Sequence, residues 1–331
     1  MTAILDKLKN GENLSFDESK GLFAELMEGK YHEDSIIEIL EAFIKKGETK
    51  DELAGGIFVL RDKASKVKTD PNTIDTCGTG GDGKNSLNIS TAAAIVLASM
   101  GIKVAKHGNK AVSSNCGSAD VLEALNININ LKPDEAENSI KNLNFAFMFA
   151  PNYHSAMKYV GPARKKIGKK TIFNLIGPLS SPAQVKRQVV GVFDKKWMKP
   201  FAEALKENQV EHAYIVHSED GMDEISPFAK TNVVELNGNN LTEFRIDPRE
   251  LGINVKNLDN LKGKNAKYNA SKIIEIYKGK INEFSYAVAL NVAAGLIVSG
   301  EELDFKNAYN KAIEHLKSGN VFQHFDKIRS I

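Results

Sequence analysis

The chain has 331 residues, 42% of them hydrophobic and 26% charged, the make-up of a soluble folded protein long enough for two domains or one large one. A formal net charge of +2 gives no general pull toward nucleic acid or membrane, and no apolar run reaches bilayer-spanning length. The amphipathic opening run Met1–Lys9 lacks a signal-peptide core, so a cytoplasmic location is expected; Cys77 and Cys116 alone cannot form a disulfide framework or a cysteine-based zinc site.

Residues 1–67 carry helix signals only. Ser15 with Glu18 and Thr49 with Glu52 have capping-box spacing. Ile36, Ile37, Ile39, Leu40, Phe43 and Ile44 make one broad apolar face that Gly47 closes, and a face this apolar also suits a second copy of the chain. From about residue 72 strands and helices alternate. Strands are expected at 73–76, 102–105, 145–149, 189–193 and 212–216, an extended run at 127–131, and helices at 90–100, 118–126, 133–143 and 196–208. Residues 233–236 and 241–245 read as an exposed hairpin around Asn237-Gly238, and helix returns at 271–278 and from 285 onward. The fold class is therefore α/β: a small all-helical domain plus a larger α/β domain with a mostly parallel central sheet flanked by helices. Between Pro151 and Ala183 the strand signal lapses, in a stretch holding His154, Arg164, a lysine cluster and Gly177-Pro178-Leu179. That stretch is expected to rejoin the first helices. The expected division is 1–67 with roughly 154–183 as the helical domain, and 72–153 with 184–331 as the α/β domain.

The most informative run is Asp75 to Thr91. Gly78, Gly80, Gly81 and Gly83 follow a short strand and precede Asn88-Ile-Ser-Thr91 at the head of a helix. Glycines let backbone amides approach phosphate oxygens, and a helix N-terminus adds unpaired donors. The run matches neither Walker A nor the dinucleotide fingerprint; a tight turn capped by Asn88 or Ser90 is the plainer reading. A second strand–loop–helix unit follows, Lys106-His-Gly-Asn109 leading through Ser113, Ser114 and Gly117 to Ser118. Two such loops at the C-terminal edge of a parallel sheet fit a ligand with two phosphate-bearing ends. Asp223-Glu224, in a glycine-containing loop after a strand, are hard oxygen ligands suited to magnesium, with the Ser90 hydroxyl as a further one. The seven histidines show no ligand spacing. Arginine occurs only at 61, 164, 187, 245, 249 and 329, and Arg164, in the helical insertion, suits bidentate binding of a carboxylate.

Gly78-Thr-Gly-Gly-Asp82, Asn88-Ile-Ser-Thr91, Lys106-His-Gly-Asn109, Gly117-Ser-Ala-Asp120, Phe173-Asn-Leu-Ile-Gly-Pro-Leu179 and Gly221-Met-Asp-Glu-Ile-Ser226 resemble, in order and interval, the anthranilate phosphoribosyltransferase family of tryptophan biosynthesis. The resemblance implies a cytoplasmic two-domain homodimer that moves the phosphoribosyl group of 5-phosphoribosyl 1-diphosphate to the amine of anthranilate and releases pyrophosphate. Carried over by position, it implies donor contacts at Gly78, Gly81, Asp82, Ser86, Asn88, Ile89, Ser90 and Thr91 in the first loop. In the second it implies contacts at Lys106, His107, Gly108, Asn109, Lys110, Ala111, Val112, Ser113, Ser114 and Ser118. Ser90, Asp223 and Glu224 would hold magnesium, two ions per protomer. Gly78, Asn109, His154, Arg164 and Pro178 would hold anthranilate, with Arg164 orienting it and His107 as the proton acceptor. Lys110 stands where the family usually has arginine, a point charge in place of a fork. Rival readings within the fold are a pyrimidine nucleoside phosphorylase-like enzyme and a phosphoribosyltransferase for another aromatic amine. A rival of another class, a nucleotide- or RNA-binding protein, would want a basic surface that the near-neutral charge does not provide. The expected partners are thus small-molecule substrates and a second copy of the chain, with no nucleic acid and no membrane.

Overall fold

The computed structural model describes residues 2–111 and 115–330. Four helices open the chain: α1 (Thr2–Lys9), α2 (Phe16–Met27), α3 (Glu33–Lys46) and α4 (Lys50–Lys63). The Ser15/Glu18 box closes both ways, Glu18 N donating to Ser15 Oγ at 3.3 Å and Ser15 N to Glu18 Oε2 at 2.9 Å. Glu52 does more than cap. Fully buried, it accepts from Thr49 N (2.8 Å), Leu14 N (2.9 Å) and Lys46 Nζ (2.9 Å), tying the starts of α2 and α4 together.

Seven strands make one sheet: β1 (Ile74–Gly78), β2 (Val104–Gly108), β3 (Phe145–Phe149), β4 (Arg187–Gly191), β5 (His212–Ser218), β6 (Thr231–Asn237) and β7 (Asn240–Ile246). They run in the order β3-β2-β1-β4-β5-β6-β7, parallel through β5 and antiparallel at β6 and β7. The chain winds outward from β1 to β3, then returns to the other side of β1 with β4. That reversal opens a crevice at the C-terminal ends of β1 and β4, the usual ligand position in such sheets. The hairpin expected to be exposed is so only in β7. β6 pairs with β5 and is mostly buried, Val233, Val234 and Leu236 facing core. Residues 127–131 alternate in burial as a strand would, yet join no sheet.

Helices α5 (Ile89–Ser99), α6 (Ser118–Ala124), α7 (Pro133–Leu143), α8 (Ala150–Tyr153), α9 (Gly161–Ile167), α10 (Ile172–Ile176), α11 (Met198–Glu207), α12 (Ala266–Tyr277), α13 (Glu283–Ser299), α14 (Phe305–Lys317) and α15 (Asn320–Ile328) complete the chain. One core packs α5, α13, α14 and α15 on one face of the sheet, with alanine-rich α5 and α13 buried nearly all round. On the other face, Phe23, Phe43 and Leu53 of the first helices share a core with Val160, Ala163, Phe173 and Leu179 and with Phe201 and Leu205 of α11.

At β1 and β2 the strands run further than expected, and there the shift matters. β1 extends through Cys77 to Gly78, and β2 takes in Lys106, His107 and Gly108. Lys106 and His107 are therefore strand residues pointing to opposite faces of the sheet.

Candidate active site

Gly78 and Gly191 end neighbouring strands in register. A Cβ on Gly191 would stand 1.6 Å from the Asp223 carbonyl oxygen, and one on Gly78 would stand 2.8 Å from Asp223 Oδ2. The bare backbone of the two glycines makes a notch in the sheet rim, and the loop after β5 drops its acidic pair into it. Gly80 N donates to Asp223 Oδ2 at 2.8 Å and Ser90 N to Glu224 Oε1 at 3.1 Å, so the glycine turn holds one carboxylate and the start of α5 the other. The turn itself needs left-handed backbone, φ +61° at Gly80, +71° at Gly81 and +73° at Gly83. Asp82 joins the group, accepting from Asp223 N at 3.4 Å. Burial first, then repulsion from Asp82, holds the Asp223 carboxyl well above the usual range; burial and then Asp223 do the same for Glu224. Lys106 is buried on this side of the sheet, its ammonium on the Thr76 carbonyl and 3.5 Å from Ser90 Oγ.

The second loop is laced to the first. Asn88 stands at the N-cap position of α5, but its side chain makes no cap bond: Nδ2 donates to Cys116 O (3.1 Å) and Oδ1 accepts from Asn269 (2.9 Å). Ile89 and Thr91 are buried. Ser86 makes a β-bridge with Lys262. Gly108 lies against Ser118, whose Oγ bonds to Asn109 O at 3.3 Å, and Ala111 N donates to Asp120. Lys110 makes an exposed pair with Glu123 at 2.9 Å. Val112, Ser113 and Ser114 lie outside the described residues.

Behind the rim, on the face toward the helical insertion, are His107, His154, Arg164 and Pro178. His107 Nδ1 meets Asp75 Oδ2, and Nε2 lies 2.9 Å from Gly177 O. Through these two bonds His107 joins β1 to the turn that carries Pro178. The Gly177-Pro178-Leu179 turn is gripped along its length, Pro178 O by Gln188 Nε2 (2.8 Å) and Cys77 Sγ (3.1 Å), Leu179 O by Arg61 Nε (2.8 Å). His154 is buried, its pKa pushed down to about 4 by burial and then by His107, so the ring is neutral. The Arg164 guanidinium lies 5.3 Å over the Phe173 ring, its pKa lowered by burial, with no carboxylate within salt-bridge distance among the described residues. An arginine held on an aromatic face without an anion is prepared for a ligand carboxylate.

Among the described residues only Asp75, Cys77 and His107 bring three possible metal-ligand atoms within 4.8 Å of one another. They are bonded into the network under Pro178, and burial raises the Cys77 thiol well above its ordinary range, so the cluster is a brace. Asp223, Glu224 and the Ser90 hydroxyl offer oxygen alone, the donor type magnesium takes. Sequence reasoning missed Gly191, whose role shows only in its strand register, the Gln188 and Arg61 grips on the turn, and the Asp75 bond to His107.

The chain matches the model of the glycosyl transferase family a/b domain over residues 70–322 and that of the family's helical bundle domain over residues 2–64. It is 59% identical to the anthranilate phosphoribosyltransferase of Pelagibacter ubique across the full length of both chains. It is 42% identical to that of Alkaliphilus metalliredigens over 96% of this chain and 94% of the other. In three dimensions it is similar to the anthranilate phosphoribosyltransferase of Thermus thermophilus, with a TM-score of 0.92 and 36% identity over 99% of this chain and 98% of the other. The Saccharomyces cerevisiae enzyme in complex with PRPP and Mg superposes with a TM-score of 0.90 at 25% identity, covering 100% of this chain and 98% of the other. Matched in both of its parts and along its whole length, this chain belongs to the glycosyl transferase family and, within it, to the anthranilate phosphoribosyltransferases.

Proposed function

We propose that the glycine turn and the start of α5, beside the Asp223 and Glu224 carboxylates, receive 5-phosphoribosyl 1-diphosphate and that the wall formed by Arg164, His154 and Pro178 presents anthranilate to it. The products are N-(5-phosphoribosyl)anthranilate and pyrophosphate. One observation carries the reading: the glycine turn holds the carboxylate of Asp223 at 2.8 Å and the start of α5 holds that of Glu224 at 3.1 Å. Acidic ligands for a metal ion thus sit on the turn and helix start proposed for the diphosphate. We assign Ser90, Asp223 and Glu224 to hold magnesium, two ions per protomer, with Asp82 beside them. When bound, magnesium supplies positive charge against the diphosphate. Gly81, Ser86, Asn88 and the backbone of Ile89 and Thr91 line the donor side of the first loop. Lys106, Gly108, Asn109, Ala111 and Ser118 line the second.

The amine of anthranilate is neutral and a weak nucleophile, so the barrier falls chiefly by stabilising the departing diphosphate and by alignment. Arg164 clamps the carboxylate so that the ortho amine faces C1. The amine proton leaves after the C–N bond has formed, when the nitrogen is strongly acidic. His107 holds Gly177 and with it Pro178. We divide the chain at residues 1–67 with 154–183 and at 72–153 with 184–331, a division supported by the shared core of Phe23, Phe43, Val160 and Phe173. We place a homodimer on the helical part, where Ile44 and Phe58 are exposed, and we assign the protein to the cytoplasm. No helix among the described residues is long and apolar enough to cross a membrane.

Loss of anthranilate fluorescence on adding the diphosphate donor, with and without magnesium, tests the reading beside a nucleoside-plus-phosphate control. Magnesium-dependent loss with the donor alone is expected. Turnover of the nucleoside in its place would assign the chain to phosphorolysis.

A further inference from the structure

The lysine cluster in the last turn of α9 and just beyond it has no part in the proposed function, and its members do different things. Lys165 and Lys169 are exposed, and Lys166 pairs with Glu33 and Asp34 at 3.6 Å on the helical side. Lys170 turns the other way. Gly168 ends α9 in left-handed conformation, φ +64°, and the chain beyond it carries Lys170 to the glycine turn, where its Nζ donates to Gly81 O at 2.9 Å. The same ammonium lies 3.5 Å over the ring of Phe193, two residues beyond the Gly191 notch. Burial lowers the Lys170 pKa from its ordinary range, with Asp223, Asp82 and Asp194 opposing that shift, and no carboxylate lies within 4 Å of the ammonium among the described residues. A lysine has three donors, and here a single carbonyl and an aromatic face are its partners. An ammonium so placed, at the mouth of a diphosphate site, has donors left for a further anion.

We infer that Lys170 is a further catalytic residue, one that contacts the departing diphosphate; the inference rests on the function proposed above. As the C1–O bond breaks, its electron pair goes to the diphosphate oxygen, and the leaving group gains one negative charge. The nitrogen lone pair of anthranilate forms the C1–N bond, and the amine proton passes to water. Lys170 moves from the Gly81 carbonyl to a diphosphate oxygen and stabilises the charge that appears there. The loop holding Lys170 continues from the helix holding Arg164, so one segment of chain grips both the acceptor's carboxylate and the leaving group.

The test compares wild type, K170M and K170R in the fluorescence assay, with inorganic pyrophosphate added as a competitor of the donor. K170M is expected to lower kcat by about 10- to 100-fold and to raise the inhibition constant of pyrophosphate by about tenfold. The anthranilate KM should change less than about twofold, and K170R should recover most of the loss. Lys170 is exposed, and a melting curve matching wild type shows that K170M is folded. An unchanged pyrophosphate inhibition constant in K170M overturns the inference while the proposed function stands. Absence of turnover in wild type itself would overturn both.

Discussion

The donor rim and the acceptor wall meet across the ends of the same strands, but they are made of different material. The rim is backbone: glycines at 78, 80, 81, 83 and 191, amides at Gly80 and Ser90, and two carboxylates drawn in by the absence of side chains. The wall is side chain: Arg164 on Phe173, a buried neutral His154, and a turn whose three carbonyls are gripped from β1, β2, β4 and α4. On the proposed function, the rim of amides and carboxylates contributes to the bond-breaking step and the wall of fixed side chains to which acceptor enters. Turnover and acceptor affinity are then separable.

The sharpest break is at the rim. Asp223→Asn combined with Glu224→Gln keeps the side-chain volumes and removes the charge, and it should lower kcat by about 10²- to 10³-fold with a smaller change in the anthranilate KM. Steady-state fluorescence across a magnesium series measures it; unchanged turnover would remove the metal role. Next is the acid limb of stability. The unfolded chain protonates His154 near 6.5, whereas the folded ring resists until about pH 4. Stability is therefore complete above pH 6.5 and declines as pH falls toward 4, by up to about 3 kcal/mol at about 1.4 kcal/mol per unit. His154→Asn should flatten that limb in urea denaturation at pH 7 and pH 4.5. An identical slope in the variant would show that the ring is charged when folded.

At the wall, Arg164→Ala removes a charge-assisted clamp worth about 2 kcal/mol, so the anthranilate KM should rise about 30-fold while the donor KM stays near wild type. A loss in kcat alone would move Arg164 out of the acceptor site. The smallest effect is expected at Lys110, whose partner is Glu123 on the surface. Lys110→Met should alter stability by less than about 0.5 kcal/mol and the donor KM by less than about threefold. A larger rise in the donor KM would return Lys110 to the phosphate contacts that the family resemblance implies.

The amino-acid sequence by itself determined the elements and the rim motif. Glycines clustered between a strand and a helix, the acidic pair after another strand, and the alternation of apolar runs are local features, written in residue order because backbone conformation is local. It also showed Arg164 as a rare arginine in a helical insertion. It did not show that β2 runs on through His107, since strand ends are fixed by the neighbouring strand: His107 pairs with Met148 and Gly108 with Phe149. Nor could it show that His107 is held between Asp75 and Gly177, 32 and 70 residues distant. Gly191 looks like any strand glycine until Asp223 lies against it, and Lys170 looks like its neighbours until the end of α9 aims it at Gly81. Those decisions belonged to the tertiary structure, because they depend on which distant groups packing brings within the few ångströms where hydrogen bonds and steric contact act.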